Sequence, residues 1–348
     1  MRTLEIHGGM GDSMLMVGET LGNLGKHIPA ERTVIITDTT VRGLYGREFP
    51  PAPVIEIGTG EKIKTLDTVS HIYERLVELE ADRSWFVAGI GGGIVCDIAG
   101  FAASTYMRGV RFGFVSTTLL AQVDASVGGK NGVNFHGYKN MVGVFNQPEF
   151  VICDMGLLGT LPEKEILCGM GEIVKHALIG DAGMLSYLEE NRQKALELDP
   201  EVIEKLVWDS VAIKSDIVNR DEKEAGERRK LNFGHTFGHA IEKTTDAYLH
   251  GEAIAAGMIP AMALSVKKGF LRAEDAERAE NLIRELNLPT RIQIDMEQLF
   301  DALKKDKKRE GDNIHFVFLN GIGNAVVEEI TFKDLDSVVG ELGGGRSL

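Results

Sequence analysis

WFVAGIGGGIVCD, Trp85 to Asp97, is the stretch that decides the fold. Its first half, Trp85 to Ile90, is a short apolar run that reads as a buried strand. Gly91, Gly92 and Gly93 break the run, and a helical stretch carrying Asp97 follows. Glycines let a phosphate approach the backbone, and the N-terminus of the next helix offers unpaired N–H donors. The spacing is not a strict GxGxxG, so a plain strand-to-helix turn explains the same glycines without a ligand. Working outward, Thr33 to Thr37 (TVIIT) and Val54 to Ile57 read as further strands, and Lys64 to Ala81 has apolar residues at helical spacing. The alternation implies βαβ units and a parallel sheet: an α/β, Rossmann-like nucleotide-binding domain over residues 1–157. Asp38 ends one strand, where a carboxylate either accepts from a ribose hydroxyl or serves a surface turn.

Beyond Leu157 long amphipathic segments dominate: Lys164 to Leu178, Pro200 to Arg220, His235 to Thr245 and Glu252 to Lys268. Residues 158–348 therefore read as a mostly α-helical domain, with one β-like pair, Ile314 to Leu319 and Ala325 to Glu328, turned through Asn320 to Asn324. The terminal GGGRS reads as a frayed tail. With no low-complexity linker, the two domains are expected to pack closely around a cleft.

The formal net charge of −14 over 348 residues disfavours a nucleic-acid or anionic-membrane partner, both of which need an electropositive face. Cys96, Cys153 and Cys168 are odd in number and lack CxxC spacing, which predicts buried, reduced thiols. No signal-like run opens the sequence, and no segment approaches the roughly 20 apolar residues of a membrane span, so a cytoplasmic protein is expected.

Three further groupings carry chemistry. Ser116 to Lys130 (STTLLAQVDASVGGK) crowds Thr117, Thr118, Asp124, Ser126, Gly128, Gly129 and Lys130 together, with Lys139 and Asn140 following; hydroxyls and glycines wrap a ligand while lysines neutralise it. Glu172 in GMGEIVKH, His235 and His239 in NFGHTFGH, and His250 in LHGE form an imidazole and carboxylate set suited to a catalytic Zn²⁺. Spacing alone selects His235 and His239, four apart on one helix face, with His250 competing for either place. A lone helical histidine is more often structural, and His136, His176 and His315 are read that way. Clustering and flanking glycines separate the other three. Basic residues thread the same motifs (Arg108, Lys130, Lys139, Lys175, Lys214, Arg228 and Lys307), which on an acidic chain predicts a pocket for carboxylate and phosphate groups. Lys304, Lys305 and Lys308 read instead as a solvated face.

The segments GGGIVCDIAGFAASTYMRG, STTLLAQVDASVGGKNGVN, GYKNMVGVFNQP, GMGEIVKHALI, DEKEAGERRKLNFGHTFGHAIE and LHGEAIAAGM occur in an order and spacing that resembles the 3-dehydroquinate synthase family of sugar phosphate cyclases, over about residues 31 to 330. The resemblance implies a carbon–oxygen lyase of the shikimate pathway. Such an enzyme converts 3-deoxy-D-arabino-heptulosonate 7-phosphate to 3-dehydroquinate and phosphate by oxidation with bound NAD⁺, phosphate elimination, reduction, ring opening and aldol closure. It implies Glu172, His235 and His250 as ligands of Zn²⁺ or Co²⁺, with His239 near the proton transfers. Lys130, Lys139, Asn140, Lys175, Lys214, Arg228, Asn232 and Lys307 match substrate-holding residues, with Asp124 and Glu224 as acidic members. Asp38, Glu61, Lys64, Gly92, Gly93, Asp97, Thr117, Thr118 and Thr160 match NAD⁺ contacts, alongside Asp124, Lys130 and Lys139. Arg108 matches an arginine that reaches the neighbouring subunit's substrate, which implies a homodimer. Ser116, Thr40 and Leu157 depart from the family's usual residues.

Three other readings compete. An inosose- or valiolone-forming cyclase would share metal and NAD⁺, yet Lys214, Arg228 and Asn232 suit a carboxylate that its substrates lack. A metal-dependent polyol dehydrogenase would release NADH. A non-enzymatic nucleotide-binding module would have no use for Glu172, His235 and His250.

Overall fold

The computed structural model describes residues 1–9, 11–292, 296–304, 309–310, 313–331 and 335; Lys305, Lys307, Lys308 and the GGGRS tail lie outside them. The chain forms two compact units, one of Met1–Leu161 with Lys214–Glu222, the other of Pro162–Ile213 with Lys223–Leu348.

The first unit carries β1 (Arg2–Ile6), β2 (Ser13–Val17), β3 (Thr33–Asp38), α1 (Thr39–Tyr45), β4 (Val54–Ile57), α2 (Leu66–Glu78), β5 (Phe86–Gly91), α3 (Gly93–Thr105), β6 (Arg111–Ser116), β7 (Lys130–Phe135), β8 (Tyr138–Phe145) and β9 (Phe150–Cys153). Seven of the strands make one sheet in the order β4-β3-β5-β6-β9-β2-β1. It is parallel throughout except at its edge, where β1 pairs antiparallel with β2. Strands β3 and β5 are buried along almost their whole length, as expected for a sheet covered on both faces. Helix α2 shows why its sequence folds: Thr65 accepts from Thr68 N at the N-cap, and Val69, Ile72 and Leu76 recur at i, i+3 and i+7 to bury one stripe. On one face of the sheet Ile35, Ala88, Val115 and Ile152 pack with Leu21, Leu24 and Leu157, and the Phe86 and Phe150 rings stack at 5.7 Å. Each of the larger apolar side chains here, from valine to phenylalanine, contributes about 1.5–3 kcal/mol on burial.

The second unit holds α4 (Glu163–Gly180), α5 (Ala182–Leu196), α7 (His235–Thr244), α8 (His250–Lys267), α9 (Ala273–Glu285), α10 (Met296–Lys304), and β10 (Arg309–Glu310), β11 (Asn313–Leu319) and β12 (Ala325–Thr331) in one antiparallel sheet. Helix α6 (Pro200–Arg220) begins in this unit, and its segment from Lys214 belongs to the first. Helix α8 is buried on nearly every side, so it forms the unit's axis. Ser265 ties it to the small sheet, donating to Ala261 O and accepting from Leu319 N at 3.1 Å.

Cys96, Cys153 and Cys168 are free and buried, as the sequence predicts. Among the described residues no helix is long and apolar enough to cross a membrane.

Candidate functional site

In the first unit the chain crosses from β3 to β4 on one side and later places β5 on the other side of β3, so the connections leaving β3 and β5 diverge. Such a switch point is where open α/β sheets bind ligands. Asp38 ends β3 there, and Gly91, Gly92 and Gly93 end β5 and open α3. The turn admits no side chains: a Cβ on Gly92 would lie 2.9 Å from Thr118 Cγ2, and one on Gly93 2.8 Å from Ala125 Cβ. Gly92 caps α3 without a side-chain bond to its first N–H groups, the arrangement that suits a pyrophosphate. Asp38 has a second task, since Oδ1 accepts from Val41 N at 2.8 Å and caps α1. Burial raises its pKa against the lowering effect of those backbone donors.

Around this turn a polar network assembles. Buried Lys64 donates to Asp97 Oδ2 at 2.5 Å and to Asn140 Oδ1 at 2.6 Å. Asn134 joins them, donating to Glu61 Oε1 and accepting from Asn140 N. Burial pushes the Asp97 pKa up, and the Lys64 charge partly offsets this. Asn134 escapes the sequence reading, although it lies between Lys130 and Lys139 in the same polar stretch. Asp124 sits in a π-helical turn, Ala121–Ala125, a distortion frequent at functional sites. Lys214 donates to its carbonyl and to its Oδ1 at 2.6 and 2.7 Å. Thr160 bonds the Tyr45 hydroxyl at 2.6 Å. Lys130 and Lys139 are exposed on the β7–β8 ribbon, and Arg108 is exposed in the short turn Tyr106–Arg108 that follows α3.

The second unit buries charge in its helical core: Glu172 (0% exposed), Lys175 (1%), Arg228 (1%), His176 and His235. Buried ionisable groups are costly unless paired, and such clusters are candidates for functional sites. Three helices converge here because small residues let their backbones touch. A Cβ on Gly251 would sit 1.8 Å from Cys168 O, and one on Gly171 2.3 Å from Gly251 O, so α4 and α8 cross in direct contact beside Glu172 and His250. Gly234 (φ 77°) turns the chain into α7 immediately before His235 and abuts α8 at Met258.

The result is a ligand-like constellation. Glu172 Oε1 faces His250 Nε2 at 3.6 Å and His235 Nε2 at 3.8 Å. Oε2 of the same carboxylate pairs with Lys175. Two ligands on a tetrahedral zinc, bonded at about 2.1 Å, stand ~3.4 Å apart. The three donors lie within 4.8 Å of one another, close to that geometry. His239, whose ring centroid is 5.2 Å from that of His235, belongs to a different donor group with Glu242 and His250. His235 Nδ1 is 3.2 Å from Phe233 O, and His250 Nδ1 is 3.2 Å from Glu242 Oε2. Burial would lower the His250 pKa, but hydrogen bonds to Glu172 and Glu242 outweigh it and raise the value to about 10. Glu242 escapes the sequence reading; its position three residues after His239 on one helix is the signal that could have found it. Asn232 donates to Glu224 Oε1 at 2.5 Å.

Among the described residues eight non-glycine positions have positive φ; five, Glu80, Met107, His136, Leu198 and Asn287, lie outside the candidate set and three lie within it. Arg108, Asn140 and Glu224 are non-glycine residues with φ of 67°, 51° and 60°. Such conformations cost energy and persist where the surroundings impose them, which is common at ligand-binding positions.

Comparison with known proteins agrees with both halves. A family model for the 3-dehydroquinate synthase N-terminal region matches residues 54–168, and one for the C-terminal region matches residues 169–309. A 3-dehydroquinate synthase of Halorhodospira halophila is 45% identical over 313 residues, 88% of each chain. Among solved structures, a 2-deoxy-scyllo-inosose synthase complexed with carbaglucose-6-phosphate, NAD⁺ and Co²⁺ superimposes with a TM-score of 0.88 at 28% identity, covering 98% of this chain and 100% of the other. A 2-epi-5-epi-valiolone synthase from Streptomyces hygroscopicus subsp. jinggangensis, with NAD⁺ and Zn²⁺ bound, gives 0.88 at 27% identity and 99% coverage of both. Matched along both units, and with glutamate and two histidines gathered as donors, the chain belongs to the 3-dehydroquinate synthase family.

Proposed function

We propose that the protein converts 3-deoxy-D-arabino-heptulosonate 7-phosphate to 3-dehydroquinate and phosphate, in the cytoplasm, as a step of aromatic amino acid biosynthesis. The observation that carries the reading is Glu172, His235 and His250 converging in a chain 45% identical to a 3-dehydroquinate synthase. Glu172, His235 and His250 would hold Zn²⁺ or Co²⁺, and Asp38, Glu61, Lys64, Gly92, Gly93, Asp97, Thr117, Thr118 and Thr160 would hold NAD⁺, assisted by Asp124, Lys130 and Lys139. When bound, the ion polarises substrate oxygens and the nicotinamide accepts and returns one hydride.

The chain's own residues do the rest. Arg228 and Asn232 bind the substrate's carboxylate and hydroxyl groups, joined in this role by Lys130, Lys139, Asn140, Lys175, Lys214 and Lys307. A buried guanidinium such as that of Arg228 strongly favours an anionic partner over a neutral one. His239 lies beside both ligand histidines with its ring partly exposed, so it can move protons to and from substrate. Lys175, in contact with Glu172, holds compensating charge at the reacting centre, and Lys130, Asp124, Asn140 and Glu224 complete the catalytic set.

We further propose a homodimer in which Arg108 reaches the neighbouring subunit's substrate. Arg108 stands on an exposed left-handed turn beside exposed Met107, and the β7–β8 ribbon exposes Phe135, Tyr138 and Met141. Apolar surface of this kind suits burial against a second copy.

The deciding experiment follows phosphate release from the heptulosonate phosphate, with and without a chelator. Release that is abolished by chelation and restored by Zn²⁺ or Co²⁺, without net absorbance at 340 nm, roughly the NADH band, is expected because the cofactor is recycled. Accumulating NADH would indicate a polyol dehydrogenase. The resemblance to the inosose- and valiolone-forming enzymes keeps one second reading in view. Turnover of a sugar phosphate without a carboxylate, in place of the heptulosonate, would favour it.

A further inference from the structure

Among the described donors that face the proposed metal ligands, Glu242 has no part in the reading above. It lies on α7 three residues after His239 and seven after His235, on the same helical face. Its side chain is 8% exposed, and its Oε2 is 3.2 Å from His250 Nδ1. The opposite nitrogen of that ring, Nε2, faces Glu172 Oε1 at 3.6 Å. The imidazole is therefore gripped at one nitrogen and presented at the other. His235 is built the same way, with Nδ1 against the Phe233 carbonyl and Nε2 toward Glu172.

The two anchors differ, and the difference matches the burial of the rings. His235 is 10% exposed, walled in by packing, and a neutral backbone carbonyl suffices to set its tautomer. His250 is 30% exposed and opens α8, so packing alone does not stop its ring from turning. A carboxylate supplies a stronger, charge-assisted acceptor, fixes the Nδ1–H tautomer and raises the basicity of Nε2.

We propose that Glu242 is a positioning residue that orients His250 and strengthens its hold on the divalent ion. The inference rests on the assignment of Glu172, His235 and His250 as ligands. It can fail while that assignment stands, because removing Glu242 leaves all three ligands in place.

The test compares wild type, Glu242→Gln, Glu242→Ala and His235→Ala. Each is stripped by a chelator and retitrated with Zn²⁺ against a chromophoric competitor, and the Co²⁺ forms are examined by visible absorption. Wild type should bind one equivalent. Glu242→Ala should bind one equivalent about 10- to 100-fold more weakly, with an altered Co²⁺ spectrum. Glu242→Gln, whose amide oxygen can still accept from Nδ1 but carries no charge, should fall between the two and keeps the test open if the alanine variant does not fold. NAD⁺ affinity should stay at the wild-type value in both. Unchanged Zn²⁺ affinity and Co²⁺ spectrum in both variants would overturn the inference. So would two equivalents in wild type and one in Glu242→Gln, since Glu242 would then be a ligand itself in the group it forms with His239 and His250. His235→Ala binding as tightly as wild type would instead refute the ligand assignment beneath it.

Discussion

Lys175 and Glu172 form a buried ion pair across one turn of α4, and the lysine takes one carboxylate oxygen while two histidine nitrogens face the other. The carboxylate is thereby divided between the lysine on one oxygen and a place for a cation on the other. Both side chains are almost fully out of solvent, at 1% and 0% exposure, so neither charge is relieved by water.

Lys175→Met should therefore destabilise the metal-free protein by about 3–5 kcal/mol, the usual effect of stranding one member of a buried pair. Adding Zn²⁺ should recover part of the loss, because the ion restores positive charge beside Glu172. Urea denaturation with and without Zn²⁺ measures both effects. A loss below about 1 kcal/mol in the metal-free protein would show that other neighbours compensate Glu172.

Gly251→Ala tests the helix crossing that assembles the donors. The new methyl would sit 1.8 Å from the Cys168 carbonyl, so α4 and α8 must separate. Overpacking of this kind costs about 1–3 kcal/mol or more, and the shift is expected to weaken Zn²⁺ binding with it. Gly43→Ala in α1 is the control, because nothing lies within 4 Å of its Cβ. Replacing a helical glycine there should be neutral or stabilising by up to about 1 kcal/mol. Thermal melts and Zn²⁺ titrations of the two variants should diverge; equal behaviour would count against a close-contact crossing.

Much of this architecture is legible in the sequence, and the parts that are not share a cause. Trp85 to Asp97 announces its strand, turn and helix because burial on all sides leaves an apolar run ended by glycines. The β7–β8 ribbon gives no such signal: Tyr138–Phe145 is largely exposed, so no alternation is imposed on it. The spacing of His235 and His239 describes one helix, whereas the donors that converge come from α4, α7 and α8. Which helices cross is decided by Gly171, Gly251 and Gly234, and those glycines are visible in the sequence only as residues flanking the three candidate donors. Asp38 shows a related limit, since its type suits both a ribose contact and the α1 cap it forms.

The three thiols should be inert in the folded protein. Burial, reinforced by nearby acidic groups at Cys168, pushes Cys153 and Cys168 up to about 12, and burial raises Cys96 further still. At pH 8 a thiol with that pKa is ionised to about one part in ten thousand, and the thiolate is the reactive form. A disulfide reagent should label none of the three in native protein and all three after denaturation. Rapid labelling of a native cysteine would show that one of these cores opens.

The glycine turn after β5 offers the cleanest separation of the two binding functions. Gly92 has φ −75°, which any residue adopts, so a substitution there acts through space rather than through backbone strain. A valine, however, must place its Cβ 2.9 Å from Thr118 Cγ2 and direct two further methyls into the turn where the pyrophosphate would lie. Gly92→Val should weaken NAD⁺ binding by at least about tenfold, the equivalent of 1.4 kcal/mol. Zn²⁺ binding should be unaffected, because Glu172, His235 and His250 belong to the second unit. Calorimetric titration of the same variant with NAD⁺ and, separately, Zn²⁺ distinguishes the outcomes. Unimpaired NAD⁺ binding would remove the turn from the nucleotide site, and parallel loss of both ligands would point to general unfolding instead of a local block.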